Sequence, residues 1–122
     1  MMPAQSPEEV DVLFAKALNA GDVDGMVSMY EPNASFVGQG GEVAVGHDAI
    51  RAAIKTYIDL KPEIDLKVEK TVATGTDLAV CYGVWTMSIG GQEMTGKSME
   101  IVRKQPDGTW LFAIDDPWGR GT

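Results

Sequence analysis

A single cysteine, Cys81, and a single histidine, His47, stand in 122 residues. One cysteine allows no internal disulfide and no cysteine-based metal cluster. One imidazole excludes any site built on two, and scattered carboxylates add no ligand pattern, so neither a metal nor a cofactor is expected. Basic residues are also few, 10 Lys and Arg against 18 Asp and Glu, for a formal charge of −8. An acidic surface repels phosphates and anionic lipid headgroups, so no nucleic acid and no membrane partner is expected. Apolar runs stay well short of the roughly 18 residues that read as a membrane span. Met1 and Met2 run straight into Pro3 and polar residues, with no charged and then apolar segment. No signal peptide is read there, and a cytoplasmic protein is expected. What is present is one domain, residues 1–122, whose 44% apolar content exceeds that of disordered chains and can fill a core.

Periodicity then divides the chain. Ser6-Pro7-Glu8-Glu9 reads as a helix start with a capping box. Val10, Leu13, Phe14, Ala17 and Leu18 follow it at helical spacing, and Asn19-Ala20-Gly21 closes the helix. Asp22 can cap a second helix with Val23, Met26, Val27 and Tyr30 on its apolar face, stopped by Pro32. A small hairpin is expected from 34–37 and 43–45, around the glycines Gly38, Gly40 and Gly41. Gly46-His47-Asp48 opens a third helix, closed by Lys61-Pro62. From Ile64 the period changes to two, with strands near 64–74, 78–89, 93–105 and 109–116. The breaks between them are short enough for hairpins, which makes an antiparallel meander. Three helices ahead of a meander give an α+β arrangement, with helices on one face of a curled sheet.

Strand 78–89 is apolar on both sides: Cys81, Trp85, Met87 and Ile89 alternate with Val80, Tyr82 and Val84. A two-sided apolar sheet must cover both faces. The helices cover one, and a second copy of the chain is expected on the other, with Tyr82, Val84, Met99 or Ile101 in the contact.

The stretches Gly21–Phe36, Gly46–Ile54 and Asp107–Asp116 resemble the nuclear transport factor 2-like superfamily, most closely its SnoaL-like and ketosteroid isomerase-like branch. The resemblance implies a cone: a strongly bent antiparallel sheet wrapped round three N-terminal helices, enclosing a deep apolar pocket. It also implies homodimers through the outer sheet face. The fold hosts many chemistries, so function must be argued from the site. In ketosteroid isomerases a tyrosine of the first helix binds the developing oxyanion, and an aspartate after the second helix is the base. The matching positions here are Phe14 and Gly38, so authentic steroid isomerase activity is not expected. The second oxyanion donor, a protonated aspartate, maps to Glu100.

Two carboxyl groups are therefore the candidate acid and base. Glu100 shares a strand side with Ser98 and Val102, while Met99, Ile101 and Arg103 share the other, so alternation leaves its direction open. Asp115 shares its side with Leu111 and Ala113; SnoaL-like relatives often place an aspartate near this point, and a strand-end turn residue is the other reading. Phe14, Tyr30, Tyr57, Trp85 and Met87 are expected to line the pocket, with Tyr30 as a supporting hydroxyl. His47 and Cys81 read as structural residues. No G-x-S-x-G and no phosphate loop is present. Apolar walls with one or two carboxyl groups suit a small hydrophobic ligand, either for cofactor-free proton transfer or for simple binding and association.

Overall fold

Ser6 caps the first helix as its position requires, its hydroxyl accepting from Glu9 N–H at 3.3 Å. Glu9 returns its carboxylate to Gln5 N–H at 2.8 Å, one residue before the cap, so only half of the expected capping box forms. These contacts come from a computed structural model of the chain, described over residues 3–122. Met1 and Met2, on which the reading of the chain start rests, lie outside the described residues.

The elements run α1 (Pro7–Asn19), α2 (Val23–Val27), β1 (Tyr30–Val37), β2 (Val43–Val45), α3 (His47–Ile58), β3 (Glu63–Thr74), β4 (Leu78–Ile89), β5 (Gln92–Lys104) and β6 (Trp110–Asp116). Gly21 at φ 69° makes the turn between α1 and α2, a conformation that side chains with a Cβ rarely adopt. Asp22 then caps α2, accepting from Gly25 N–H at 2.9 Å. The helix stops at Val27, earlier than its apolar spacing implies. Sheet pairing takes over, because Phe112 N–H donates to Met29 O at 2.8 Å and His47 Nε2 lies 2.8 Å from Tyr30 O. Tyr30 therefore begins a strand instead of ending a helix.

Six strands form one sheet in the order β2-β1-β6-β5-β4-β3. The meander from β3 to β6 is antiparallel as expected, and β1 joins it in parallel beside β6. Three register slips bend the sheet, and one matters for the site. Between Ile101↔Ile114 and Val102↔Phe112 an extra residue, Ala113, bulges from β6. Phe112 and Asp115 consequently both turn inward, while Ile114 is 40% exposed. Without the bulge, Ile114 would take the inner side with Phe112. Helix α1 is pinned against this curved face by Asn19, whose amide exchanges two hydrogen bonds with the Ile64 backbone, at 2.7 and 3.0 Å. The inner face of β4 to β6 and the apolar sides of α1 and α3 enclose the core. No helix among the described residues is long and apolar enough to cross a membrane.

Candidate functional site

Where α1 and α3 stand over the bent sheet, a cavity of about 510 Å³ remains open. Phe14, Tyr57, Trp85, Met87 and Trp118 are in its lining, and the exposed residues Gln39, Glu42 and Thr56 rim it. The Trp85 indole donates to Pro117 O at 2.8 Å and meets Trp118 edge-on, ring centres 4.8 Å apart. That indole lies over Gly96, its direct partner across β4 and β5. A Cβ at Gly96 would come within 2.4 Å of the ring, so only glycine lets the tryptophan lie flat on the neighbouring strand. Four of the five residues expected as walls, Phe14, Tyr57, Trp85 and Met87, are in place.

Tyr30 is the exception. It does not reach the cavity surface, because its ring is 1% exposed among Phe14, Phe36 and Phe112. Its hydroxyl instead donates to Asp115 Oδ2 at 2.5 Å, from behind that carboxyl group. The residue that started a strand instead of ending a helix thus became a buttress.

Three carboxyl groups converge on the closed end, each from a different element. Glu100 of β5 and Asp115 of β6 are direct register partners, and both face inward at 3% and 4% exposure. Asp11 of α1, 1% exposed, descends on them from the helix. Asp11 was not among the residues singled out from the sequence, although a signal for it existed. It precedes Phe14 by three residues and Leu18 by seven, so it occupies the apolar stripe of α1. An acidic residue on such a stripe is the buried polar exception that marks a site.

Burial governs their protonation. It pushes Glu100 up to about 10, with the neighbouring Asp11 acting in the same direction and Ser98 and Arg120 opposing. Burial likewise raises Asp11 to about 7, helped by the charges of Asp115 and Glu8 and opposed by a hydrogen bond from Glu100. Asp115 is held well above the ordinary carboxylate range by burial and then by Glu100, against the pull of the Tyr30 hydrogen bond. No hydroxyl or N–H donor among the described residues reaches Asp11 Oδ1, Asp11 Oδ2 or Glu100 Oε1. Two ionised carboxylates cannot donate to each other, so a proton held between Asp11 and Glu100 is the donor that this arrangement calls for.

Other expectations resolve simply. Gly38 lies in the cavity lining where the isomerase base would be, and Glu42 folds over it: a Cβ at Gly38 would meet Glu42 Oε1 at 2.1 Å. Cys81 is fully buried in β4, its thiol pushed up to about 12 by burial, as suits a small core residue. Among the described residues no cluster of three or more His, Cys, Asp or Glu could hold a metal ion.

In sequence, residues 10–116 match the SnoaL-like domain family. No curated protein matches the chain. Several solved structures share its shape. A ketosteroid isomerase-like protein from Erwinia carotovora atroseptica is 19% identical, with a TM-score of 0.76 and 88% of each chain covered. An NTF-2-like protein of unknown function from Shewanella oneidensis is 20% identical, at a TM-score of 0.78, over 88% of this chain and 92% of that one. A putative calcium/calmodulin-dependent protein kinase type II association domain from Thiobacillus denitrificans is 15% identical, at a TM-score of 0.80, over 95% and 96%. At such identities the likeness shows the fold alone.

Proposed function

The chain belongs to the SnoaL-like domain family, and from that premise we propose that its cavity performs cofactor-free proton transfer on a small, largely apolar molecule. The reaction is of the isomerase, cyclase or dehydratase kind. One observation carries this reading: three buried carboxyl groups from α1, β5 and β6 meet at the end of one apolar cavity. Burial and their mutual charge raise all three, so they share protons instead of ionising together, and one can take a proton while another gives one. Asp11, whose two oxygens meet no donor of the described residues, serves as the base. Glu100, pushed upward by burial and by Asp11 beside it, stays neutral and serves as the acid or hydrogen-bond donor. The Tyr30–Asp115 pair is a second donor held behind it. Asp115 is the candidate base read from the sequence, but its Oδ2 already accepts from the Tyr30 hydroxyl, whereas both oxygens of Asp11 meet no donor, which favours Asp11 for that role. Phe14 and Gly38 still argue against authentic steroid isomerisation.

Exchange of acidic C–H protons tests the proposal without knowledge of the natural substrate. In D2O at neutral pH, wild-type protein is expected to accelerate α-deuteration of 2-tetralone, followed by proton NMR. Asp11→Asn is expected to slow the enzyme-dependent part by on the order of a hundredfold, the usual worth of a general base. No acceleration by wild-type protein would reject the proton-transfer reading. The alternative reading is a binding or association module whose cavity holds a ligand without turning it over. Saturable ligand binding with no exchange would establish that one instead.

A further inference from the structure

We infer that the polar end of the cavity is built for a cation: the molecule it takes is largely apolar and bears a basic amine, whose ammonium sits against Asp11 and Glu100. The inference rests on the reading of this cavity as a ligand site and adds the chemistry of the head group.

The charge of the lining is one-sided. Asp11, Glu42, Glu100 and Asp115 contribute to it, and no lysine, arginine or histidine does. The arginine whose charge reaches Glu100 is Arg120 of the C-terminal segment. Its guanidinium is engaged by Gly83 O at 2.8 Å and Ser98 O at 3.1 Å, and stands 5.3 Å from the Tyr82 ring centre. The acidic end therefore has no cation of its own within the cavity.

Hydrogen-bond counting points the same way. Four buried polar atoms, Asp11 Oδ1, Asp11 Oδ2, Glu100 Oε1 and the Ser98 hydroxyl oxygen, have no partner among the described residues; three of them are carboxyl oxygens, and the single proton shared by Asp11 and Glu100 leaves these acceptors in excess. A primary ammonium brings three donors and no acceptor. A ketone or ester can take the one proton that the pair shares but leaves the remaining acceptor oxygens unmet, and a carboxylate adds a like charge that this end resists. The aromatic lining of Phe14, Tyr57, Trp85 and Trp118 suits an apolar body and tolerates a cation beside its rings. Glu42 at the rim and the overall charge of −8 draw cations toward the mouth.

Binding an ammonium here displaces the proton held between Asp11 and Glu100, so the complex forms with proton release. The other titratable groups that bear on the pair are Glu8 of α1, Asp115 of β6 with Tyr30 of β1, Tyr57 of α3, Cys81 of β4 and Arg120. The tyrosines and the cysteine are all pushed upward by burial and remain neutral at pH 7. Proton release on binding therefore belongs to the carboxyl groups.

Three probes with one tail decide the matter: 4-phenylbutylamine, 4-phenylbutan-1-ol and 4-phenylbutanoate, titrated calorimetrically at pH 7 in phosphate and in Tris. The amine is expected to bind at least about tenfold tighter than the alcohol, a difference of roughly 1.4 kcal/mol, and the butanoate weaker than either. The heat of amine binding is expected to differ between the buffers in the sense of proton release. Asp11→Asn and, separately, Glu100→Gln should each bring the amine down to the affinity of the alcohol, with circular dichroism confirming the fold of each variant. Equal affinity of amine and alcohol, or binding without proton release, would overturn the cation assignment and leave the apolar-ligand reading standing. Failure of all three probes to bind would overturn both. An unchanged amine preference in both variants would also overturn it.

Discussion

Glu100 was placed by folding where a carboxylate is least comfortable, out of water and beside Asp11 and Asp115. Its folded value, about 10, lies far above the ordinary one, so ionisation disfavours the fold. The penalty is absent below the ordinary carboxylate range, grows as pH rises through it, and is complete only above the folded value. Glu100→Gln keeps the shape and removes the charge. It should therefore raise stability at pH 7.5 by on the order of a few kcal/mol and change little at pH 4. Urea denaturation midpoints of the two proteins at both pH values measure this; coincident midpoints throughout would mean a solvated Glu100. Alternation could not fix the direction of this side chain, because both sides of β5 carry a mix of polar and apolar residues. The structure places Ser98, Glu100 and Val102 inside, their positions set by helix α1 above them. Asp11 was legible in principle from its place on the stripe of α1, but its neighbour Val10 reads as the edge of that stripe and masks it.

Elements were the easier scale to read. The four long strands lie within a residue or so of their expected bounds, because period-two alternation and glycine-rich breaks act locally. Harder to read was whatever depends on distant pairing. The early stop of α2, the start of β1 at Tyr30 and the parallel β1–β6 contact all follow from backbone bonds to β6, some 80 residues away in sequence. Contact between β4 and β5 offers a test at this scale. Trp85 and Gly96 face each other, and the indole occupies the space that any side chain at position 96 would need. Gly96→Ala should push the ring away, break its hydrogen bond to Pro117 O, and destabilise the fold by about 1–3 kcal/mol. Thermal melting together with a red-shifted tryptophan emission would register both effects; unchanged melting would show that the strand yields instead.

For the whole molecule, the outer face of the sheet is the surface that needs a cover. Val72, Val80, Ile101 and Ile114 stand opposite one another across β3, β4, β5 and β6, an apolar row on the face away from the helices. Val72 and Ile114 at its ends are 45% and 40% exposed. We propose that a second copy of the chain covers this row, with Ile101 at its centre. Val84, expected beside it, pairs with Lys67 and Lys97 and belongs to a more polar stretch. Ile101→Glu should raise the monomer fraction, since an unpaired charge buried in an interface is strongly unfavourable. Sedimentation velocity at micromolar concentration measures it, and a wild-type monomer there would refute the proposed dimer.

The slip at Ala113 gives strand β6 two possible scripts. Taken without the slip, it offers the inside a tryptophan, a phenylalanine and an isoleucine, the parts of a plain greasy wall. Taken with it, the same letters deliver an acid to the cavity and an isoleucine to the outer row. One residue of phase thus couples what the chamber can do to what the exterior can stick to. A lineage could trade a reactive interior for an inert one, and alter its taste for company, without changing a single side chain in the wall.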